Sequence, residues 1–213
     1  MSLQLYDYWR SSASYRVRIA LALKGVAYER LPVNLLTAEQ AGAANVARNP
    51  QAMVPTLEVD GVPITQSLAI IDWLDHAYPE PAFYPADPVA RARVLAQAMV
   101  IAADIHPIDN MRVLKRLQTQ FSADQAARDA WYRHWIELGL AALEAMTTDQ
   151  PGPFLGGGTP GLADIFLVPQ LFNARRGGVD LAAYPRLLAA DAAAADHPAF
   201  AAAHPERFDP AAK

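Results

Sequence analysis

Apolar and polar residues alternate in the first third of the chain, a pattern that is typical of β-strands with one buried face. The alternation occurs around Leu3–Leu5 and around Leu31–Val33. It occurs again at Leu57–Val59 and at Val62–Ile64, two short runs separated by Asp60-Gly61. Because Asp-Gly between two alternating runs is a strong signal for a tight turn, the pattern predicts two separate strands followed by a β-hairpin.

Helical spacing of apolar residues fills the segments between these strands. Tyr15–Lys24 is predicted to form a helix that stops at Gly25, since glycine commonly ends helices. A weaker helix is predicted over 38–47, ended by Asn49-Pro50, and a third helix follows Ser67. The predicted order is therefore β-α-β-α-β-β-α within about eighty residues.

A proline-rich linker divides the chain, and the pattern after it is helical. Prolines occur at positions 79, 81, 85 and 88. Beyond them, helical patterns cover roughly 89–120, 123–146, 162–175 and 184–195, with no convincing strand. Pro107 lies inside the first of these segments and would kink that helix or start a new one. We therefore predict an α/β domain over 1–84 and an all-helical domain over 89–213.

Composition narrows the classes of function. Of the 213 residues, 53% are apolar and 19% are charged, which is typical of a packed globular protein. The net charge of −4 argues against nucleic acid or an anionic membrane as a partner. Because the chain has no cysteine, a sulfur nucleophile would have to come from a cofactor. The N-terminus lacks an apolar signal-peptide core and no stretch approaches about 18 apolar residues, so we expect a cytoplasmic protein.

A cluster of serines lies between the first strand and the first helix. Ser11, Ser12 and Ser14 would place hydroxyls beside the first N–H groups of the helix, which carry partial positive charge. Such a site could bind a thiolate or another anion. Serine is also a preferred helix cap, and the cluster taken alone favours simple capping.

Two more candidate sites flank the hairpin. Pro55 stands at a strand start, where its missing N–H is tolerated. A cis Val54–Pro55 bond would expose the Val54 backbone to an extended peptide, although the local pattern favours trans. At the other end, Ser67 is placed as a helix N-cap. Its hydroxyl, the N–H groups after it and Gln66 could instead hold a carboxylate, so both interpretations stay open.

The helical part of the chain contributes further polar candidates. His106, Asn110 and Arg112 lie close together around a proline. Asp104 and His106 lack the i, i+4 spacing of a helical metal pair and no third ligand stands out, so we reject a metal site. Arg176 lies near a predicted helix C-terminus, where an arginine either stabilises the helix dipole or binds a carboxylate.

In this order and at these separations, the motifs resemble one family, the zeta-class glutathione transferases. The class-specific signature is Trp9-Arg10-Ser11-Ser12, followed by Ser14 and by Arg16-Val17-Arg18-Ile19-Ala20-Leu21. The later landmarks are Val54-Pro55-Thr56-Leu57, Gln66-Ser67-Leu68-Ala69-Ile70-Ile71, Asp104-Ile105-His106-Pro107, Leu162-Ala163-Asp164 and Val179-Asp180-Leu181 with Tyr184-Pro185. The resemblance runs from Leu3 to about Phe200, nearly the whole chain.

The resemblance implies a thioredoxin-like N-terminal domain, an all-helical C-terminal domain, a homodimer and a cis Val54–Pro55 bond. It implies glutathione as the cofactor, lying along Val54, with its γ-glutamyl carboxylate at Gln66 and Ser67 and its sulfur at Ser11 and Ser12. The cofactor-binding residues that it implies are Ser11, Ser12, Ser14, Arg16, Gln40, Val54, Pro55, Gln66, Ser67, His106 and Asn110.

The activity that the resemblance implies is the glutathione-dependent cis–trans isomerisation of maleylacetoacetate in aromatic amino-acid degradation. The substrate is a small dianion, and we predict that Arg10, Arg112 and Arg176 bind it. Ser12, Ser11, Arg10 and Arg176 are the predicted catalytic residues. Three alternatives stay open: a maleylpyruvate isomerase, a transferase that acts on small electrophiles or halo-acids, and a glutathione-binding protein without turnover.

The chain departs from the family pattern at three places. Ala13 stands where the family usually has cysteine, which excludes any mechanism that needs that thiol and makes Ser12 the preferred activator. Gly161 stands where a Ser or Thr usually caps the helix that contains Asp164; the forward cap is lost, but Asp164 can still reach back. Gly177-Gly178 replaces a bulkier pair, which is expected to loosen the end of the substrate pocket.

Overall fold

The computed structural model describes residues 1–212. Contacts divide the chain into two compact units. One comprises Met1–Ala82 together with the residues from Asp196 onward, and the other comprises Phe83–Ala195. Residues from Asp196 onward, which the sequence analysis placed in the helical domain, thus group with the first unit, and the predicted domain ranges stay a prediction.

A four-stranded mixed sheet forms the centre of the first unit. The strands are β1 (Leu3–Asp7), β2 (Glu29–Pro32), β3 (Thr56–Val59) and β4 (Val62–Thr65). Their order across the sheet is β2-β1-β3-β4, with β1 parallel to β2 and antiparallel to β3. The predicted hairpin at Asp60-Gly61 joins β3 to β4, and both turn residues have positive φ, as such a turn requires.

Helices α1 (Ser12–Leu23), α2 (Ala43–Arg48) and α3 (Ser67–Ala77) complete the β-α-β-α-β-β-α order predicted from the sequence. Helix α1 starts three residues earlier than predicted because Ser11 caps it. The weak helix predicted over 38–47 is a short 3₁₀ turn, Glu39–Ala41, followed by α2. Leu5 and Leu57 of the sheet are fully buried, and so are Ile19 of α1 and Ile71 of α3. The core of this unit therefore lies between the sheet and these helices.

The second unit is helical, and no strand of the sheet lies in its residues. Its helices are α4 (Pro88–Met99), α5 (His106–Asp109), α6 (Met111–Phe121), α7 (Gln125–Thr147), α8 (Leu162–Arg176) and α9 (Pro185–Ala195). The region predicted to be helical over 89–120 is helical but not continuous, because a π-helical segment at Val100–Ile105 and an extended Asn110 interrupt it. Pro107 lies in the first turn of α5 and so starts a new helix, which is one of the two outcomes predicted for it. The expected fold class, an α/β thioredoxin-like domain followed by an all-helical domain, is confirmed.

Helix α8 is the buried core of this unit and begins without a forward side-chain cap, as predicted for Gly161. Asp164 reaches back instead: its carboxylate accepts hydrogen bonds from the backbone N–H groups of Gly161, Gly156 and Leu155 at 2.9, 2.9 and 2.7 Å. This single side chain therefore ties the preceding loop to the first turn of α8.

The chain ends in α10 (Pro198–Ala203), followed by the 3₁₀ turns Pro205–Phe208 and Pro210–Ala212. Helix α10 packs along α1, and its Phe200 is buried. The final helix therefore contributes to the unit that contains the sheet, although it is separated from it in sequence by the whole helical unit.

Candidate functional site

The sheet register brings three of the predicted sites to one edge of the first unit. Tyr6, near the end of β1, pairs with Thr56 at the start of β3, and Thr56 pairs with Thr65 at the end of β4. The segments that leave or enter the sheet here are therefore the serine loop after β1, the Val54–Pro55 segment before β3 and the Gln66–Ser67 segment after β4. Sites that are up to 56 residues apart in sequence share one edge because two antiparallel pairings align them.

The serine loop is a tight turn that leads into α1. The Ser11 backbone N–H donates to the Tyr8 carbonyl at 3.0 Å, which closes the turn. The Ser14 N–H donates to Ser11 Oγ at 3.2 Å, so Ser11 is the N-cap. Its hydroxyl proton is not used by this bond and can still be donated. Ser12 is buried in the first helical turn, and buried Ser14 Oγ has no hydrogen-bond partner among residues 1–212.

Ser67 is not the N-cap that the sequence analysis predicted. It is the first residue of α3, and the capping position belongs to Gln66, whose φ of 70° and ψ of 120° place it outside the usual regions for a non-glycine residue. Ser67 Oγ accepts a hydrogen bond from Arg16 Nη1 at 3.3 Å instead. Arg16 comes from α1, so this bond directly connects the serine-loop helix to the Gln66–Ser67 segment.

Arg16 is deeply buried, and burial lowers its pKa to about 9. At neutral pH it still carries its charge. A buried guanidinium behind Ser67 supplies positive potential at the start of α3, where the helix N-terminus contributes in the same direction. This segment therefore favours an anionic group.

A network of amide side chains supports the segment before β3. Gln66 Nε2 donates to Gln51 Oε1 at 2.7 Å. Asn49 Nδ2 donates to the Met53 carbonyl at 3.1 Å, and Asn45 Nδ2 donates to the Gln40 carbonyl at 2.9 Å. Sequence reasoning missed these supporting amides, because nothing in their local pattern distinguishes them from ordinary polar residues of a loop.

Two further predicted residues lie beside this network. Gln40 Oε1 is buried and has no hydrogen-bond partner among the described residues, so an acceptor is available there. The Val54–Pro55 bond is cis, as the family resemblance implied and as the local pattern did not. A second cis bond, Glu80–Pro81, was not predicted.

Considered by itself, the second unit places its candidates around α5 and the end of α8. His106 begins α5, and Asn110 is the N-cap of α6, where its Oδ1 accepts from the Arg112 N–H at 2.9 Å. The guanidinium of Arg112 is exposed in the first turn of α6. The side-chain oxygen of Asn110 therefore caps α6, and its amide nitrogen remains as a hydrogen-bond donor.

Asp109, Tyr132 and Arg176 form an electrostatic cluster that sequence reasoning did not find. Burial raises the pKa of Asp109 to about 7, and neither carboxyl oxygen has a hydrogen-bond partner among residues 1–212. Burial, reinforced by the charge of Asp109, raises the pKa of Tyr132 to about 12, while Arg176 and a hydrogen bond with Asn173 act in the opposite direction. Tyr132 lies 23 positions after Asp109, on α7, so no local spacing links them.

The predicted loosening after Arg176 stays a prediction, and the two glycines differ in the space around them: a Cβ on Gly178 would meet nothing within 4 Å. A Cβ on Gly177 would lie 2.5 Å from Cε1 of Tyr132, so the ring occupies the space that a side chain would need. Arg176 itself is exposed, with its guanidinium 5.9 Å from the centre of the Phe172 ring. In the first unit, Arg10 is likewise exposed and lies 5.5 Å from the Trp9 ring centre.

Residues 1–212 contain no group of three or more histidine or acidic side chains placed to hold a metal ion. None of their helices is long and apolar enough to cross a membrane.

Comparison with known families decides what this arrangement belongs to. The model of the glutathione S-transferase N-terminal domain matches residues 1–76, and that of the glutathione S-transferase C-terminal domain matches residues 129–202. The chain belongs to the glutathione S-transferase family. The family predicted from the sequence motifs is thereby confirmed.

Individual members of the glutathione S-transferase family are similar over nearly the whole chain. A maleylacetoacetate isomerase of Rhizobium meliloti is 49% identical over 208 residues, 97% of each chain. A holo structure of a zeta-class bacterial maleylpyruvate isomerase is 47% identical, with a TM-score of 0.93 over 99% of this chain and 98% of that one. Maleylacetoacetate isomerase from Anaeromyxobacter dehalogenans, solved with dicarboxyethyl glutathione and citrate in its active site, is 47% identical, with a TM-score of 0.88 over 100% and 98%.

Proposed function

We propose that this glutathione S-transferase is a glutathione-dependent cis–trans isomerase of small maleyl dianions, with maleylacetoacetate as the first candidate substrate. The observation that carries the proposal is the shared sheet edge, where the serine loop, Val54 and Ser67 meet and the Arg16–Ser67 bond connects two of them. The named isomerases among the relatives support the reaction, since they are similar along almost their entire length.

The residues at this edge fit the parts of glutathione. An extended tripeptide needs a backbone partner, for which we propose Val54. Its γ-glutamyl carboxylate needs donors, for which we propose Gln66, Ser67 and the N–H groups that begin α3, with Arg16 behind them. The unpartnered oxygen of Gln40 suits an amino or amide donor of the cofactor. His106 and Asn110 of the second unit and Pro55 complete the predicted binding set.

When bound, glutathione supplies a thiolate that adds reversibly to the cis double bond, which then becomes a single bond that can rotate before elimination. The chain's task is to keep that sulfur ionised. A free thiol has a pKa of about 8.5 and is only a few per cent ionised at neutral pH. The hydroxyls of Ser12 and Ser11 and the first N–H groups of α1 favour the anion, and Ser12, which is buried in the first turn of α1, is our preferred activator.

Arg10, Arg112 and Arg176 are proposed to bind the substrate carboxylates. All three residues are exposed. Citrate and a dicarboxyethyl derivative of glutathione in the active site of a relative support a site for several carboxylates. We expect Arg10→Ala and Arg176→Ala to lose isomerase turnover and keep glutathione binding. Unchanged turnover in both variants would remove these arginines from the proposal.

The direct test follows the absorbance of maleylacetoacetate and maleylpyruvate side by side, with and without glutathione. We expect glutathione-dependent turnover without net consumption of glutathione, and the faster substrate identifies the reaction class more closely. Consumption of glutathione with small electrophiles or halo-acids would indicate a transferase. Bound glutathione without turnover of any substrate would indicate a binding protein.

Two further proposals rest on the family. We propose that the protein is a homodimer and that it resides in the cytoplasm. Light scattering coupled to size exclusion measures the first, and fractionation of cells that express the chain measures the second. A monomer in solution, or recovery from another compartment, would contradict the respective proposal.

A further inference from the structure

Arg18 is a fully buried arginine that binds three separate segments of the first unit. Its Nη1 donates to Asp7 Oδ2 at 2.5 Å, at the end of β1. Its Nη2 donates to the Trp9 carbonyl at 2.9 Å, inside the turn that leads to the serine loop. Its Nε donates to the Ala203 carbonyl at 3.2 Å, at the end of α10. One rigid guanidinium thus joins the sheet, the serine-loop turn and the C-terminal segment.

The C-terminal segment also contacts Arg18 through an aromatic ring. Phe208 lies 4.8 Å from the Arg18 guanidinium and 5.0 Å from that of Arg30, measured to the ring centre. Arg30 Nε in turn donates to the second oxygen of Asp7 at 2.6 Å. Cation–π contacts of this kind are stronger when desolvated, and the side chains of Arg18 and Asp7 are fully buried.

We infer that the C-terminal segment from Ala203 to Phe208 positions the serine loop for catalysis, acting through Arg18. This inference rests on the proposed function. The Trp9 carbonyl belongs to a residue two positions before the capping Ser11 and three before Ser12. Arg18 donates the hydrogen bond that fixes this carbonyl. Phe208 and the Ala203 carbonyl contact the same guanidinium from the C-terminal segment. They are therefore positioning groups for hydroxyls that stand almost 200 residues earlier in the chain.

The cluster also has an unbalanced charge. A single carboxylate, Asp7, faces two guanidiniums, and Tyr28, whose burial raises its pKa, adds no charge at neutral pH. The remaining positive charge lies directly behind the turn that presents Ser11 and Ser12. Moving Arg18 would therefore change both the geometry of the loop and the potential that a thiolate experiences there.

The test measures the ionisation of bound glutathione, not activity alone. Thiolate absorbance in the ultraviolet is recorded against pH for the wild type, Phe208→Ala, Phe208→Tyr and Arg18→Lys, together with kcat and the KM for glutathione. We expect Phe208→Ala and Arg18→Lys to raise the pKa of the bound thiol and to lower kcat/KM at neutral pH by about tenfold. Phe208→Tyr retains the ring and is expected to stay within about twofold of the wild type.

A matched control separates positioning from general stability. Phe200 is buried in α10 and packs its ring on His197, so Phe200→Leu should lower the Tm without moving the thiol pKa. Folded Phe208→Ala and Arg18→Lys variants with the wild-type thiol pKa would overturn the inference, even if their Tm falls. If Phe208→Ala does not fold, Arg18→Lys and the Phe208→Tyr comparison decide it. Absence of any glutathione thiolate in the wild type would instead refute the proposed function.

Discussion

The two units bury an aspartate in opposite ways. In the first unit, Asp7 has an exposed fraction of 0% and accepts hydrogen bonds from two arginines. In the second unit, Asp109 has an exposed fraction of 5%, and no hydrogen-bond partner among residues 1–212 meets either oxygen. The same residue type is thus paired with two guanidiniums in one place and, among the described residues, lacks such a partner in the other, where burial raises its pKa to about 7.

Asp164 is a third case that lies between these two. It is fully buried, and burial raises its pKa, but three backbone N–H groups donate to it and act in the opposite direction. Backbone donors can therefore replace arginines in holding a buried carboxylate. The paired network contacts the turn that leads to the serine loop, whereas Asp109 lies in the electrostatic cluster with Tyr132 and Arg176.

The largest expected effect comes from Asp7→Asn. The substitution preserves shape and removes the anion, so Arg18 and Arg30 lose the charge that compensates them. Breaking a buried pair in this way costs about 3–5 kcal/mol of unfolding free energy. Urea unfolding at neutral pH measures the loss, and Glu58→Gln, at a part-exposed residue 4.0 Å from Arg48, is the control with little expected change. Wild-type stability in Asp7→Asn would show that the network is dispensable.

Asp164→Asn is expected to cost somewhat less, about 2–3 kcal/mol. The amide oxygen can still accept from one side, but the amide nitrogen would face backbone N–H groups that themselves need an acceptor. Thermal unfolding of the variant, compared with Asp164→Glu, checks this. A loss below the error of the measurement in Asp164→Asn would mean that the loop finds other acceptors.

Above neutral pH, we expect Asp109→Asn to raise the free energy of unfolding, whereas Asp7→Asn lowers it. The native state keeps the proton of Asp109 up to about pH 7, whereas an unfolded aspartate releases it near pH 4. The unfolding free energy of the wild type therefore falls as pH rises through this range, and the fall ends above the native pKa. The variant lacks this component, so above neutral pH it should be more stable by about 1–3 kcal/mol.

Urea unfolding of the wild type and Asp109→Asn at about pH 5 and about pH 8 measures this difference. The stability advantage of the variant must grow with pH. An advantage that is equal at both pH values would mean that Asp109 titrates normally and that its burial is satisfied in another way.

The smallest effect is expected from Gly161→Ser. Restoring a hydroxyl cap should raise the free energy of unfolding by a few tenths of a kcal/mol. However, a Cβ at Gly161 would lie 3.1 Å from the Phe83 carbonyl oxygen, which already accepts from the Leu162 N–H at 3.0 Å. We expect the two effects nearly to cancel, within about 0.5 kcal/mol. Thermal unfolding measures the net change, and a gain above about 1 kcal/mol would mean that the Phe83 carbonyl moves easily.

The local part of the fold was predictable from the sequence. Alternation identified the strands and Asp60-Gly61 identified the hairpin, because a period of two residues and a turn signal are both short-range properties. The backward cap of Asp164 followed from a spacing of three residues. The helical region over 89–120 was predicted, but its π-helical segment at 100–105 was not, because the residues there stay helical and only the backbone bonding changes.

The site was predictable only in part. The motif order indicated which residues to consider and which family to expect. The capping interpretation of Ser67 was wrong, because its hydroxyl accepts from Arg16, which is 51 positions away, and Gln66 holds the cap position. The motif order also gave no sign that Asp109 and Tyr132 interact. It included Arg18 in a family signature but did not indicate the contacts that Arg18 makes.

By itself, the sequence determined the order of elements and the family. It also determined that a sulfur nucleophile must come from a cofactor, because the chain has no cysteine. These depend on local periodicity and on motifs that are contiguous in the chain. Only the tertiary structure decided which buried carboxylates are paired with arginines, which one has a raised pKa, and which distant segment contacts the arginine behind the serine loop. Charge, burial and hydrogen bonding depend on distances in space, and strand pairing and helix packing set those distances between residues that the sequence keeps far apart.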